Sequence, residues 1–307
     1  MHTIVMTGAT SGFGALAARA MTEHDDVRLI VGSRSAPANP RGDVLELDVT
    51  DLDSVRRFAD VVVRRLDPPG IDALVLNAGV ILADDTSRTT AGIETTFCAN
   101  HLAPYLIARL LLPHLAEGGR MMFTTSGTHD PTTGAGLAVP RHADAELLAH
   151  PERDPDRHTN PAQAGQHAYT ASKLCTVLTV RALNALPDSA SRSISAIAYD
   201  PGQVFGTGLA RDLGRLRRTA WSVLGTPVGV PLRRLSPTLN SRAQAGTALA
   251  RLALGSTSPP DGHHRYAALR RGRITWIEPS ALARRGDVAE SLWSASARMV
   301  GMQASLT

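Results

Sequence analysis

The sequence is almost without lysine. Of its 32 basic side chains, 31 are arginine and one, Lys173, is lysine. Ammonium is a compact point charge and guanidinium a planar fork, so a lone lysine in an arginine-rich chain marks a position where the two do not interchange. Cysteine is nearly as scarce. Cys98 and Cys175 each fall inside an apolar helical run, which excludes a disulfide framework and fits reduced core positions in a cytoplasmic protein. No His/Cys group has zinc spacing, so no metal is expected. Aromatic residues make up 4% of the chain, and the arginine clusters Arg211–Arg218 and Arg270–Arg273 have no interleaved aromatics. With a net charge of only +4, they read as solvated faces or a loop near phosphate, and no nucleic-acid partner is expected. Long apolar runs are missing too. The longest, Leu102–Leu112, contains Arg109 and is too short for a bilayer, so no membrane span is expected. The first strand-like run begins at Thr3, so no signal peptide is expected either.

What is present is an alternation of short apolar runs with amphipathic helical stretches, the pattern of a parallel sheet covered on both faces. Strands are predicted at Thr3–Thr7, Arg28–Ser33, Val44–Leu47, Ala73–Asn77, Arg120–Thr125 and Ser193–Tyr199. Helices are predicted near Phe13–Glu23, Leu52–Leu66, Gly92–Leu115, His167–Leu186 and Ser241–Leu254. The fold class is α/β, one doubly wound Rossmann-type domain over 1–307. Two segments break the rhythm: 127–166, rich in Pro, Gly, His and charge, and 203–240, with Gly, Pro and Arg. Both read as long surface segments beside the chemistry, an insertion and a lid. His129, His142, His150 and His158 in the first are expected to be solvated.

Two constellations carry chemistry. The first strand runs into Thr7-Gly8-Ala9-Thr10-Ser11-Gly12-Phe13-Gly14 and then a helix. Glycines let the backbone approach a pyrophosphate closely, and the helix N-terminus offers oriented N–H donors to its charge. The second is Tyr169-Thr-Ala-Ser-Lys173. Residues four apart share a helix face, so phenol and ammonium project into one site. A nearby cation there would lower the tyrosine pKa toward working pH and make the phenol a usable proton donor and acceptor.

The Gly-x-x-x-Gly-x-Gly spacing, with the Tyr-x-x-x-Lys motif downstream, resembles the compact type of the short-chain dehydrogenase/reductase family along nearly the whole chain. That resemblance implies a cofactor site of Gly8, Thr10, Ser11, Gly12, Phe13 and Gly14 at the pyrophosphate, with Asp48 and Val49 bordering the adenine. Asn77-Ala78-Gly79 would leave room for the cofactor, Pro201 and Gly202 would turn beside the nicotinamide, and Thr207 would meet the carboxamide. Tyr169 and Lys173 would also contact the cofactor. In this family a strand-end carboxylate binds a free 2′-hydroxyl; here Ser33-Arg34 stands in its place, and guanidinium pairs instead with a 2′-phosphate, which favours NADP(H). The resemblance further makes Ser126 the carbonyl-orienting hydroxyl, with Thr125 the fallback if the register slips by one, and Asn100 the residue holding a relay water. The implied activity is hydride transfer from NADPH to a ketone or aldehyde with Tyr169 as proton donor. The alternatives are oxidation of a secondary alcohol and a non-catalytic nucleotide-binding regulator. A homo-oligomer is compatible with the pattern. Asn100-His-Leu, the insertion before Tyr169, Ser172-Lys-Leu-Cys, Thr207-Gly-Leu and Leu292-Trp-Ser are similar to the protochlorophyllide-oxidoreductase and retinol-dehydrogenase-like branch. Light-driven protochlorophyllide reduction is not expected, because 127–166 contains no cysteine.

Overall fold

The computed structural model describes residues 1–35, 41–68, 70–204, 236–260 and 265–304. Among these, eight strands form one sheet in the order β10-β9-β6-β5-β4-β1-β2-β3. The strands are β1 (His2–Thr7), β2 (Val27–Ser33), β3 (Asp43–Glu46), β4 (Ile71–Leu76), β5 (Leu115–Thr124), β6 (Ser195–Asp200), β9 (Tyr266–Arg270) and β10 (Arg273–Trp276). The β3-to-β9 ladder is parallel throughout, and β10 closes one edge as an antiparallel hairpin partner of β9. Arg271 and Gly272 at the hairpin tip have φ of 50° and 74°. A two-residue turn left-handed at both positions matches the twist of the strands it joins. Gln203–Val204 (β7) and Leu239–Asn240 (β8) pair separately, so the two ends of the 203–240 segment lie side by side.

Helices cover both faces because a parallel sheet is buried on both. On one face lie α1 (Gly12–Met21) and α8 (Arg242–Ala253), packed on each other and on Ile4, Met6, Leu29 and Val31. The other face carries α2 (Leu52–Arg64), α4 (Ala103–Leu111), α6 (Pro161–Ala185) and α9 (Gly286–Met299) around Val5, Ile30, Leu74 and Phe123. Helix α9 lies along α6 and reaches α4: Tyr105 donates to the Trp293 carbonyl at 3.2 Å, and His101 and Ser296 share a 2.7 Å hydrogen bond. The remaining helices are short: α3 (Thr95–Phe97), α5 (Ala145–Ala149) and α7 (Pro187–Ser191). No helix among the described residues is long and apolar enough to cross a membrane.

The predicted helix at Gly92–Leu115 is not continuous. It opens as α3, passes through a π-helical turn at Cys98–Leu102, and only then becomes α4. Pro104 has no N–H, so the Asn100 carbonyl loses its α-helical donor, and the ladder instead shifts by one residue, Ala103 N donating to Cys98 O. The 127–166 segment is also more ordered than its composition suggests. It holds three 3₁₀ turns, α5 and the first turn of α6, and is stitched to α6 by Ala138 N to Gln166 Oε1 (3.0 Å) and Thr170 Oγ1 to Ala138 O (2.8 Å). The expectation of solvated histidines there fails for His129. His129 is buried, and His142, His150 and His158 are partly buried.

Candidate active site

The C-terminal ends of β1, β2, β4, β5 and β6 converge at the place where strand order reverses, between β1 and β4. Open α/β sheets bind ligands in that crevice. After β1, Gly8 turns with φ +69°, and an added Cβ would stand 2.6 Å from Ala78 N. Gly14 is as constrained, its Cβ position lying 2.0 Å from the Gly8 carbonyl. Asn77 closes the loop, its Nδ2 donating to Gly8 O at 2.9 Å, while Asn77 N and Ala78 N both donate to Thr7 Oγ1 at 3.1 Å.

The start of α1 is where the residues fit an anionic cofactor. Helices α2, α6 and α8 are each capped by a side chain, from Asp51, Asn160 and Ser241. Helix α1 has Ser11 at its cap position, yet that side chain makes no capping hydrogen bond. Its first N–H groups therefore face outward without a side-chain acceptor, beside the exposed Thr10 and Ser11. Phe13 follows in the first turn, partly buried. Ser33 donates to the Ser35 carbonyl at 2.9 Å, and Arg34 is exposed at the end of β2. Asp48 is engaged by Thr50, whose N and Oγ1 donate to Oδ1 at 2.9 and 2.8 Å, and Val49 packs at the margin of the core. A Cβ at Gly79 would lie 3.0 Å from Asn100 Oδ1 and 3.6 Å from Lys173 Nζ, so the Asn77–Gly79 loop passes directly over both. Gly202 turns with φ +71°, and the Pro201 carbonyl accepts from Asn240 Nδ2 at 3.1 Å. Thr207 and the Arg211–Arg218 cluster lie outside the described residues.

Tyr169 and Lys173 lie in α6, both buried, with Nζ 5.6 Å from the centre of the phenol ring. Lys173 Nζ donates to the Thr124 carbonyl at 3.0 Å. Burial lowers its pKa to about 8. Burial also pushes the Tyr169 phenol up to about 12; the Ser126 hydroxyl, hydrogen-bonded to it, pulls down and the Asp200 charge pushes up. The expected lowering of this pKa by the lysine is not found: burial raises it, and the phenol is protonated at neutral pH.

The strand end separates the two candidate hydroxyls. Thr125 is buried and donates to the Lys173 carbonyl at 2.8 Å, while Ser126 is the one beside Tyr169. Thr124, which sequence reasoning did not single out, contributes its carbonyl to Lys173 and its hydroxyl to Asn77 Oδ1 at 2.9 Å. A run of three hydroxyl residues ending an apolar strand was the available signal. Replacing Ser126 by Ala is expected to lower turnover roughly tenfold to a hundredfold with cofactor affinity unchanged. Thr125→Ala should cost about 1 kcal/mol of stability and leave turnover near wild type. Steady-state kinetics and denaturant melts of both variants check this, and the reverse pattern would move the role to Thr125.

Asn100 sits within the π-helical turn with its amide fully engaged: Oδ1 accepts from Val80 N (2.8 Å), and Nδ2 donates to Val80 O (2.9 Å) and Ser172 Oγ (3.1 Å). Its backbone carbonyl has no α-helical donor, because Pro104 lacks an N–H. Two further residues escaped the sequence reading. His129 accepts from Ser280 N at Nε2 (3.3 Å), which places its proton on Nδ1, bonded to the Ser126 carbonyl at 2.8 Å. Asp200, buried at the end of β6, pairs with Arg270.

Comparison with known proteins agrees with this geometry. Residues 2–134 match the family model for short-chain dehydrogenases. A protein named "Putative daunorubicin C-13 ketoreductase DnrU" from Streptomyces sp. (strain C5) is 31% identical over 314 residues, covering 98% of this chain and 93% of its own. The chain belongs to the short-chain dehydrogenase/reductase family. Protochlorophyllide reductase of Avena sativa is 31% identical over 239 residues, covering 70% of this chain and 75% of its own. In the Hordeum vulgare protochlorophyllide reductase A, the match spans 61% of that protein. Among solved structures, an uncharacterised protein from Mycobacterium paratuberculosis aligns over 99% of this chain and 95% of its own, with a TM-score of 0.67 and 25% identity. The family member is thus an oxidoreductase with a Rossmann-type sheet, near the protochlorophyllide-reductase-like branch.

Proposed function

We propose that this oxidoreductase reduces a ketone or aldehyde of a small organic substrate with NADPH, Tyr169 giving the proton. The observation that carries the reading is the buried Tyr169 phenol beside the Ser126 hydroxyl and 5.6 Å, ring centre to Nζ, from Lys173, at the sheet end that also carries the uncapped start of α1. The resemblance to a protein named as a ketoreductase over nearly the full length of both chains supports the same reaction class.

The pyrophosphate would lie on the N–H groups opening α1, with Gly8 to Gly14 giving backbone access, and Arg34 with Ser33 would meet the 2′-phosphate. When bound, the nicotinamide supplies the hydride to the carbonyl carbon. Ser126 donates to the carbonyl oxygen and polarises it; Tyr169 then gives its O–H proton to that oxygen as the C–O π bond breaks. The phenolate left behind is stabilised by Lys173 and regains a proton through the Lys173–Asn100 side of the site. A phenol near 12 is a weak acid in the protein alone, so ammonium and bound cofactor must act together to bring it into range. The chain is read as one domain over 1–307, with 127–166 on the substrate side.

Cofactor choice is tested at Arg34. Its guanidinium is exposed directly after β2, so Arg34→Ala should weaken NADPH binding by about 1–3 kcal/mol and leave NADH binding nearly unchanged. Fluorescence titrations with both nucleotides measure this. Equal affinities in the wild-type protein would remove the argument for NADP(H). A panel of ketones, aldehydes and quinones assayed by NADPH oxidation tests the activity itself.

A further inference from the structure

Strand β5 gives way to the turn Ser126-Gly-Thr-His129, which has no apolar side chain to hold it. It is anchored instead by its histidine, which is 2% exposed. The Ser126 carbonyl accepts twice from that residue, from His129 N at 3.2 Å and from the ring at Nδ1 at 2.8 Å. At the other ring nitrogen, Ser280 N lies 3.3 Å from Nε2. The ring packs against Tyr266 of β9, with centroids 5.3 Å apart. Ser280 is itself buried and leads into the 3₁₀ turn Leu282–Arg284 before α9, its hydroxyl accepting from Ala283 N at 3.3 Å. His129 thus joins the end of β5 to the C-terminal unit of the chain.

These partners fix where the ring carries its proton. A carbonyl only accepts and a backbone N–H only donates, so Nδ1 bears the hydrogen and Nε2 does not. The clamp on the Ser126 carbonyl bears on the Ser126 side chain through the turn it closes. In that turn Thr128 N reaches back to Ser126 Oγ at 3.3 Å. Its N–H takes one lone pair of the hydroxyl and leaves the O–H free for another acceptor, the state that a carbonyl-polarising group needs. Other contacts hold the turn further on. Thr133 Oγ1 and Asp130 N donate to the Gly127 carbonyl at 3.0 and 3.1 Å, and a Cβ at Gly127 would stand 3.1 Å from Asp200 Oδ2. Among the described residues, the side chain bonded to the Ser126 backbone is that of His129.

We propose that His129 is a positioning residue for the Ser126 hydroxyl: its Nδ1–H, held on the Ser126 carbonyl, sets the turn in which Ser126 presents its O–H to the substrate carbonyl. Freeing that carbonyl lets the Ser126–Gly127 peptide rotate and swings Oγ with it. A misplacement of about 1 Å at a reacting group costs up to about a hundredfold in rate, so a clamp on the backbone of a polarising residue acts on turnover without touching substrate. The proposal rests on Ser126 being the group that polarises the carbonyl, and the test separates the two.

The test turns on which ring nitrogen is kept. In His129→Asn the amide N–H stands in for Nδ1–H, so the clamp on Ser126 survives while Ser280 N loses its acceptor. In His129→Gln the amide oxygen stands in for Nε2, so Ser280 keeps its acceptor and the clamp is lost. His129→Leu removes both and fills the apolar space against Tyr266. Turnover should stay within about threefold of wild type in His129→Asn and fall about tenfold in the other two, with the Kd for NADPH unchanged in all three. In a Ser126→Ala background, His129→Gln and His129→Leu should cost nothing further, because the hydroxyl they position is gone. Histidine-selective nitrogen-15 NMR gives a readout independent of turnover: the wild-type His129 signal, assigned by its loss in whichever variant folds, should be that of the Nδ1–H tautomer. Three results would each overturn the proposal: His129→Asn as slow as His129→Gln, losses that multiply undiminished with that of Ser126→Ala, or an Nε2–H tautomer. Failure of all three variants to fold would overturn it too, and leave His129 a core residue. Wild-type turnover in Ser126→Ala would instead overturn the carbonyl-polarising reading beneath it.

Discussion

Tyr169→Phe is expected to fold, bind NADPH with unchanged affinity and lose turnover by about a thousandfold or more. Folding should survive because the buried phenol lies beside the Ser126 hydroxyl, and phenylalanine fills nearly the same volume. The lost partner is a serine hydroxyl, which also accepts from Thr128 N at 3.3 Å and so is not left stranded. Cofactor affinity should hold because the donors at the start of α1 and Arg34 are untouched. Turnover falls because a general acid contributes about 10²–10⁴ in rate, and the buried titratable groups near Ser126 offer no substitute. His129 has both ring nitrogens committed, Nδ1 to the Ser126 carbonyl and Nε2 to Ser280 N, and Tyr266 is held well above its ordinary pKa by burial and by Asp200. Circular dichroism, nucleotide titration and single-turnover NADPH oxidation together check the three parts. Retained turnover would return the chain to the reading of a nucleotide-binding scaffold whose proton comes from elsewhere.

Much of this was legible locally. The six parallel strands at the start of the chain announce themselves as short apolar runs between helical stretches, and the observed strands overlap every predicted one. Gly8–Gly14 and Tyr169/Lys173 were legible because their meaning lies in spacing of seven residues or fewer. What escaped depended on distant partners. His129 reads as a loop histidine among Gly, Thr and Asp; it is buried because Ser280 and Tyr266 come to it from the far end of the chain. Asp200 and Arg270 are seventy residues apart, and nothing in either neighbourhood states that β9 pairs with β6 in parallel register. The hairpin β9–β10 was missed because its strands are only five and four residues long and its turn is Arg-Gly rather than Asn-Gly. The π-helical turn was marked by Pro104 four residues after Asn100, a local signal that was not used.

Lys173→Arg is expected to fold and to lose turnover by a hundredfold or more, although arginine stands at every other basic position of the chain. The two side chains have nearly equal helix propensities, so a lysine that only decorated α6 would tolerate the exchange. It does not decorate the helix. Lys173 is 5% exposed, with Gly79 on one side and the Tyr169 ring on the other. A planar guanidinium cannot enter that gap as a point donor to Thr124 without displacing the Asn77–Gly79 loop. Lys173→Met separates catalysis from stability. The amine titrates at about 8 in the folded protein against an ordinary value of 10.5, so between those values the unfolded chain binds more protons and stability rises with pH. Below about pH 8 the full cost of the buried charge is carried. Removing the charge is therefore expected to stabilise the fold at pH 7 by about 1–3 kcal/mol, the size of the displacement less the lost bond to Thr124. That gain should fade as pH approaches 10.5, while turnover stays abolished. Denaturant unfolding of wild type and Lys173→Met across that range, beside the kinetics of Lys173→Arg, measures both. A Lys173→Arg variant with wild-type turnover, or a Lys173→Met variant less stable than wild type at pH 7, would mean that the ammonium is kept for packing and not for the reaction.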